Sequence, residues 1–211
     1  MKKFELTNEF ITNMFGTKLF RIRALVEFGD VEAGELGGYV EKESNLGHDD
    51  NAWVYGNARV YGNARVYGDA QVSGDARVYG NARVYGNAWV YDNAWVYGNA
   101  RVCGDALVCG NARVCSDALV CGNARVCSDE DYAYAHGFGS VNRTTTFFRL
   151  KDGGVGVRCG CFYGTLAQFR DKIRETHGET KKAQEYLMLA DLMELRFEED
   201  ENEVGNRKYV E

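Results

Sequence analysis

Between Ala52 and Asp129 the apolar positions fall into one strict rhythm. Alanine recurs at Ala52, Ala58, Ala64 and onward to Ala124, and valine at Val54, Val60, Val66 and onward to Val126. The unit Ala-x-Val-x-Gly-Asn/Asp runs through thirteen copies without an insertion or deletion, and only Asp92, Ser116 and Ser128 depart from glycine in its slot. Alanine and valine two apart project from the same side of a strand. Glycine followed by Asn or Asp supplies a corner, because these residues tolerate positive φ. Strands of about four residues are too short for a sandwich of hairpins, and a meander would have to preserve the valine facing through every reversal. A coil of three strands and three corners meets both demands. The pattern therefore predicts a parallel β-helix with every valine turned to its axis, about 4.3 coils and roughly 20 Å tall at about 4.8 Å per rung.

Residues 18 apart then stack on one face. The first face shows Trp53, Gln71, Trp89, Leu107 and Arg125, the second Arg59, Arg77, Trp95 and Arg113, and the third Arg65, Arg83, Arg101 and Leu119. Tyr occupies the position after valine in the early coils and Cys in the late ones. An Arg- and aromatic-rich surface suits an interface; tyrosine ladders also shield a thin core by stacking along it. The Cys/Leu patch of the late coils calls for cover, by the C-terminal region or a neighbouring subunit. Candidate interface residues are Trp53, Trp89, Trp95, Leu107, Cys109, Leu119 and Cys121.

Residues 17–26 alternate like a strand, and the turn-rich stretch to Val40 leads into the coil through Leu46. An open coil end exposes unpaired strand edges, so a cap is expected there. Past Asp129 the repeat stops. Thr144–Leu150 and Val155–Tyr163 read as a hairpin joined by Lys151-Asp152-Gly153-Gly154. Thr165-Leu166-Ala167-Gln168 is a capping box opening a first helix, Thr180 opens a second, and Leu195-Arg196-Phe197 reads as a third strand. The expected organisation is a β cap and lead-in over 1–51, the β-helix over 52–129, a small ββαα domain over 130–198 and a frayed acidic tail over 199–211.

The lead-in with the repeat, residues 17–129, resembles the YdcK-like hexapeptide-repeat family, whose transferase label is itself inferred from fold. It resembles phage and prophage variants of that type. The resemblance implies a mainly β chain built on a single-stranded left-handed parallel β-helix with a small C-terminal α+β domain. Crossover chirality alone would favour the right hand. The residue after valine departs from the pattern, being mostly Tyr or Cys where the family often has Gly.

Net charge is −6, divided as −4 over 1–51, +1 over 52–129 and −3 over 130–211. No part is basic enough for general nucleic-acid binding, which is not expected. The chain shows neither a long apolar run nor a signal-peptide pattern, so we expect a cytoplasmic protein without a membrane partner. Its seven cysteines do not form a secreted framework. Cys109 and Cys127, like Cys103 and Cys121, stack one rung apart, but parallel Cβ vectors do not favour a disulfide, and reduced thiols are expected. Cys159 and Cys161 read as a buried pair on one strand face. Neither a metal site nor a cofactor is expected.

Acyltransferases of the hexapeptide type, by the resemblance, are trimers that hold acyl-CoA between prisms and use a histidine base. The coil here contains no histidine; His48 just before it and His136 just after it are weak catalytic candidates. The C-terminal hairpin offers a cation and hydroxyl cluster, Arg143, Thr144, Thr146, Arg149, Arg158 and His177, suited to a phosphate group. The sequence reading is thus a non-enzymatic binding or scaffolding protein of phage type and a homo-oligomer, a trimer being one form. Its C-terminal domain would recognise a host protein or a phosphorylated small molecule, with interference in host defence as one use. A trimeric acyl-CoA-dependent transferase is the alternative.

Overall fold

The computed structural model describes residues 2–139 and 143–198. Its centre is the expected coil. Thirteen two-residue strands, β4 (Trp53–Val54) through β16 (Arg125–Val126), follow one another at one per hexapeptide, and strands three apart pair in parallel. All thirteen alanines and all thirteen valines of the repeat are fully buried. Each rung is bonded to the next by backbone amides, as where the Arg59, Tyr61 and Asn63 amides donate to Ala76, Val78 and Gly80 carbonyls at 2.9, 3.0 and 2.8 Å. Positive φ recurs at the glycine slot, and at Asp92 (58°) and Ser116 (59°) where glycine is replaced.

The coil is longer than the repeat. Strands β1 (Phe4–Thr12), β2 (Lys18–Ala24) and β3 (Leu36–Val40) form an antiparallel cap, and Tyr39–Val40 of β3 pairs in parallel with Arg59–Val60. Leu46 bridges to Val66 in the same sense. These two lead-in rungs bring the solenoid to about five turns. Strand β1 was not foreseen, because Leu6-Thr7-Asn8-Glu9 breaks the alternation; a register shift between Leu6 and Phe10 accommodates it. Side chains satisfy the backbone of the lowest coil. Buried Asn45 donates to the Gly62 and Ala64 carbonyls at 3.2 and 2.8 Å. Lys3 Nζ donates to those of Asp50 and Ala52 at 2.6 and 2.8 Å. Buried backbone polar groups demand such partners.

The C-terminal region is a four-stranded antiparallel sheet, β17 (Tyr132–Phe138), β18 (Arg143–Arg149), β19 (Val155–Cys159) and β20 (Phe162–Thr165), with helices α1 (Leu166–His177) and α2 (Lys181–Phe197) on one face. Two expectations are corrected. Residues 155–163 do not form one strand: Gly160, at φ +60°, turns the chain and separates half-buried Cys159 from exposed Cys161. Leu195-Arg196-Phe197 is helical, because Phe197 completes the buried stripe Ala183, Tyr186, Ala190 and Met193 of α2. The capping box holds as read, with the Gln168 amide donating to Thr165 Oγ1 and the Thr165 amide to Gln168 Oε1. The acidic tail lies outside the described residues.

The sheet's other face closes the upper end of the solenoid. Tyr132, Phe148 and Leu150 join the solenoid core, while Phe147 and Val157 pack under the helices. Thr146 Oγ1 accepts the Leu119 amide at 3.0 Å, in place of a carbonyl from a further rung.

Candidate functional site

The third solenoid face carries Arg65, Arg83 and Arg101 in register, one per coil, followed by Leu119. Their backbones lie about 4.8 Å apart, and all three are exposed. The adjoining corner is an amide ladder: Asn63 donates to Asn81, Asn81 to Asn99 and Asn99 to Asp117, at 3.2, 3.0 and 2.9 Å. Locking each amide to its neighbour fixes one wall of a groove of about 400 Å³ whose other wall is the arginine row.

Where Leu119 ends the row, the C-terminal sheet continues the groove. A cavity of about 440 Å³ is lined by Arg101, Asp117, His136, Arg143, Thr144 and Arg158, among others, and shares Asn99, Arg101 and Asp117 with the groove below. Thr144 and Arg158 arrive there because β18 and β19 alternate: Thr146, opposite Arg158, also faces the solenoid. His136 Nδ1 lies 3.0 Å from Thr144 Oγ1. Arg158 Nε is buried without a hydrogen-bond partner. None of Arg65, Arg83, Arg101, Arg143 and Arg158 forms an ion pair with a described carboxylate. Five guanidinium groups thus face one carboxylate, Asp117, along a continuous channel. Beneath it, a hydrogen bond with Cys121 holds the Cys103 thiol down to about 6, aided by Arg158 and Arg101, while the same bond and burial push Cys121 up.

The six residues of the predicted cation and hydroxyl cluster are therefore divided. Arg143, Thr144 and Arg158 meet in the cavity. Thr146 is fully buried and serves the Leu119 amide. Arg149 lies elsewhere, its guanidinium 5.3 Å from the Phe197 ring centre. His177 lines a separate cavity of about 250 Å³ between the helices and the sheet, which Arg143 also reaches. The arginine row and the Asn ladder went unassigned as a site in the sequence, although the 18-residue stacking contains both.

Of the two histidines weighed as bases, His136 belongs to the cavity and His48 does not. The His48 ring stacks on Phe4 at 4.4 Å, its Nδ1 accepts the Lys3 amide at 3.2 Å, and burial holds its pKa below the ordinary value. The candidate interface residues are corrected in part. Trp53 is fully buried against Phe4 and Phe28 of the cap, so it presents no outward surface. Cys109 is buried and joined to Cys127 as a disulfide, contrary to the expected thiols: the rung spacing brings their Cα atoms to 4.3 Å. Cys121 is buried at the end covered by the C-terminal sheet, and Leu107 and Leu119 are half-buried. Trp89 is exposed; Trp95 lies between the Arg77 and Arg113 guanidinium groups, 4.8 and 5.2 Å away. Tyr61, Tyr79 and Tyr97 stack at 5.0 and 5.1 Å with nearly parallel rings, as a shielding ladder does.

Comparison with curated proteins gives no match. The YdcK β-solenoid repeat matches this chain in overlapping segments, 52–68, 58–74, 70–84, 76–92, 82–98 and 94–110. Those are the coils that carry the arginine row and the Asn ladder, and residues 52–110 are similar to the YdcK β-solenoid repeat.

Proposed function

We propose that this is a binding protein in which the solenoid is a rigid scaffold and the channel along its third face captures a phosphorylated small molecule. The observation that carries this reading is the row Arg65, Arg83 and Arg101 leading, without ion pairs to described carboxylates, into the cavity of Arg143 and Arg158. Guanidinium groups grip phosphate through paired N–H donors. Thr144 and His136 add further hydrogen-bonding groups beside them. The Asn ladder holds its wall in place before the ligand arrives, which lowers the ordering cost of binding.

Hydrogen bonds to a charged group each contribute about 1.5–3 kcal/mol, so losing one weakens binding by roughly ten-fold or more. Calorimetric titration with inorganic tripolyphosphate is expected to show salt-sensitive binding. Arg158→Ala and Arg101→Ala should each weaken it by about that factor. Arg125→Ala, on another solenoid face, should leave it unchanged. Equal loss in all three variants, or no binding by the parent protein, would refute the reading.

A further inference from the structure

Two free cysteines stand one above the other on the third solenoid face. Cys103 and Cys121 follow Val102 and Val120, which pair in register between β12 (Arg101–Val102) and β15 (Leu119–Val120). The Cys103 amide donates to the Val120 carbonyl at 3.0 Å, and the two side chains are hydrogen-bonded to each other. Successive rungs lie about 4.8 Å apart, within the Cα separation that a disulfide spans. On the first face the same 18-residue relation is closed by the Cys109–Cys127 bond, so this ladder admits such a bridge.

The surroundings give the two thiols different roles. Cys121 is buried in the solenoid core. Cys103 is half-buried and is ringed by groups that favour its thiolate: the Cys121 thiol, the Tyr85 hydroxyl, and the Arg158 and Arg101 guanidinium groups. Arg158 Nε is buried without a hydrogen-bond partner, and neither arginine forms an ion pair with a described carboxylate. Burial and its bond to Cys103 push the Tyr85 phenol up to about 12, so that hydroxyl keeps its proton and donates. A thiolate next to cations is the nucleophilic form of cysteine.

We propose that Cys103 and Cys121 are a peroxide-reactive dithiol, in which Cys103 is the attacking nucleophile and Cys121 the resolving thiol. The Cys103 thiolate attacks one oxygen of hydrogen peroxide. An S–O bond forms, the O–O bond breaks, and the departing hydroxide takes a proton from solvent to leave as water. Cys121 sulfur then attacks the Cys103 sulfenic acid. The S–S bond forms, the S–O bond breaks, and the Cys121 proton leaves with the hydroxyl as a second water. Two thiols are oxidised to one disulfide as one peroxide is reduced to two waters. The chemistry needs no ligand in the channel.

The test is thiol mapping of the full chain, purified under nitrogen and treated near neutral pH with one equivalent of hydrogen peroxide. Alkylation and tandem mass spectrometry should show Cys103 and Cys121 losing their free thiols together and appearing as a linked pair. They should do so ahead of Cys161, the exposed free cysteine. In Cys121→Ser the Cys103 sulfenic acid should persist and be captured by dimedone, whereas in Cys103→Ser the Cys121 thiol should stay free. Circular dichroism verifies the fold of each variant, and Cys121→Ala replaces Cys121→Ser if the buried hydroxyl is not tolerated. Oxidation of Cys161 or Cys115 ahead of Cys103, loss of the Cys121 thiol at an unchanged rate in Cys103→Ser, or no dimedone adduct at Cys103 in a folded Cys121 variant would overturn the proposal.

Discussion

At the scale of single residues, the corner position decides whether one coil can lie on the next. Gly68 has φ +72°, and a Cβ built there would stand 2.8 Å from the Gly86 amide nitrogen of the rung above. Both the left-handed conformation and the stacking exclude a side chain. Gly68→Ala is expected to cost about 1–3 kcal/mol, read as a lower urea midpoint. Asp92 shows how the slot escapes glycine: at φ 58° it still turns the corner, and its carboxylate accepts the Gly110 amide of the next rung at 3.1 Å. The glycine and the inward alanine and valine were legible because each obeys a local rule. The Asn ladder was not, because its hydrogen bonds join residues 18 apart and resemble ordinary corner asparagines in sequence.

At the scale of elements, the repeat dictated its own strands, and periodicity with capping residues located both helices. The failures lie where an element is held by something distant. Strand β1 pairs with β2 yet reads poorly, because only its beginning reaches the core through fully buried Phe4. Residues 195–197 read as a strand only by alternation, whereas Leu195 and Arg196 are good helix formers and Phe197 completes the inner stripe of α2. The N-terminal cap also carries a pH dependence. Its hold on β1 includes the Lys3 amide donating to neutral His48. Burial lowers the His48 pKa beneath its ordinary 6.5, so over that interval the unfolded chain binds more protons than the folded one. Stability therefore falls as pH drops through about 6.5 toward the depressed value. The protection factor of the Lys3 amide, which allows for the slower intrinsic exchange in acid, is expected to fall as the pH drops below His48's ordinary 6.5. His48→Phe, which keeps the stacking on Phe4 but cannot titrate, should remove that pH-dependent loss of protection.

At the scale of the whole molecule, the C-terminal sheet is a lid on the solenoid as much as a domain beside it. Phe148 and Leu150 share the solenoid core, the Ala124–Leu150 bridge joins the two, and Asp131 accepts the Cys127 and Ser128 amides at 2.9 and 2.8 Å. A chain ended at Asp129 is expected to lose exchange protection at Leu119 and Cys127. Its rungs below Val96 should keep theirs, because each coil depends on its neighbours alone. The candidate channel belongs to this scale too. Arg143 and Arg158 could be picked from the sequence as cations, but nothing local says that β18 and β19, more than twenty residues past Leu119, come to rest above the Arg101 rung.

The three-sided coil makes repeat number an angular quantity. Each hexapeptide advances the chain by about a third of a turn, so adding or removing one would redirect the lid toward a different face. Its arginines would then stand over Trp89 and Leu107, or over Trp95 and Arg113, instead of the row that ends at Arg101. Only changes of 18 residues would lengthen or shorten the channel while leaving its two halves in line. The run of thirteen unbroken units is in this sense a phase setting between two halves of one groove, and a chain could vary the length of its ligand without altering the chemistry that grips it.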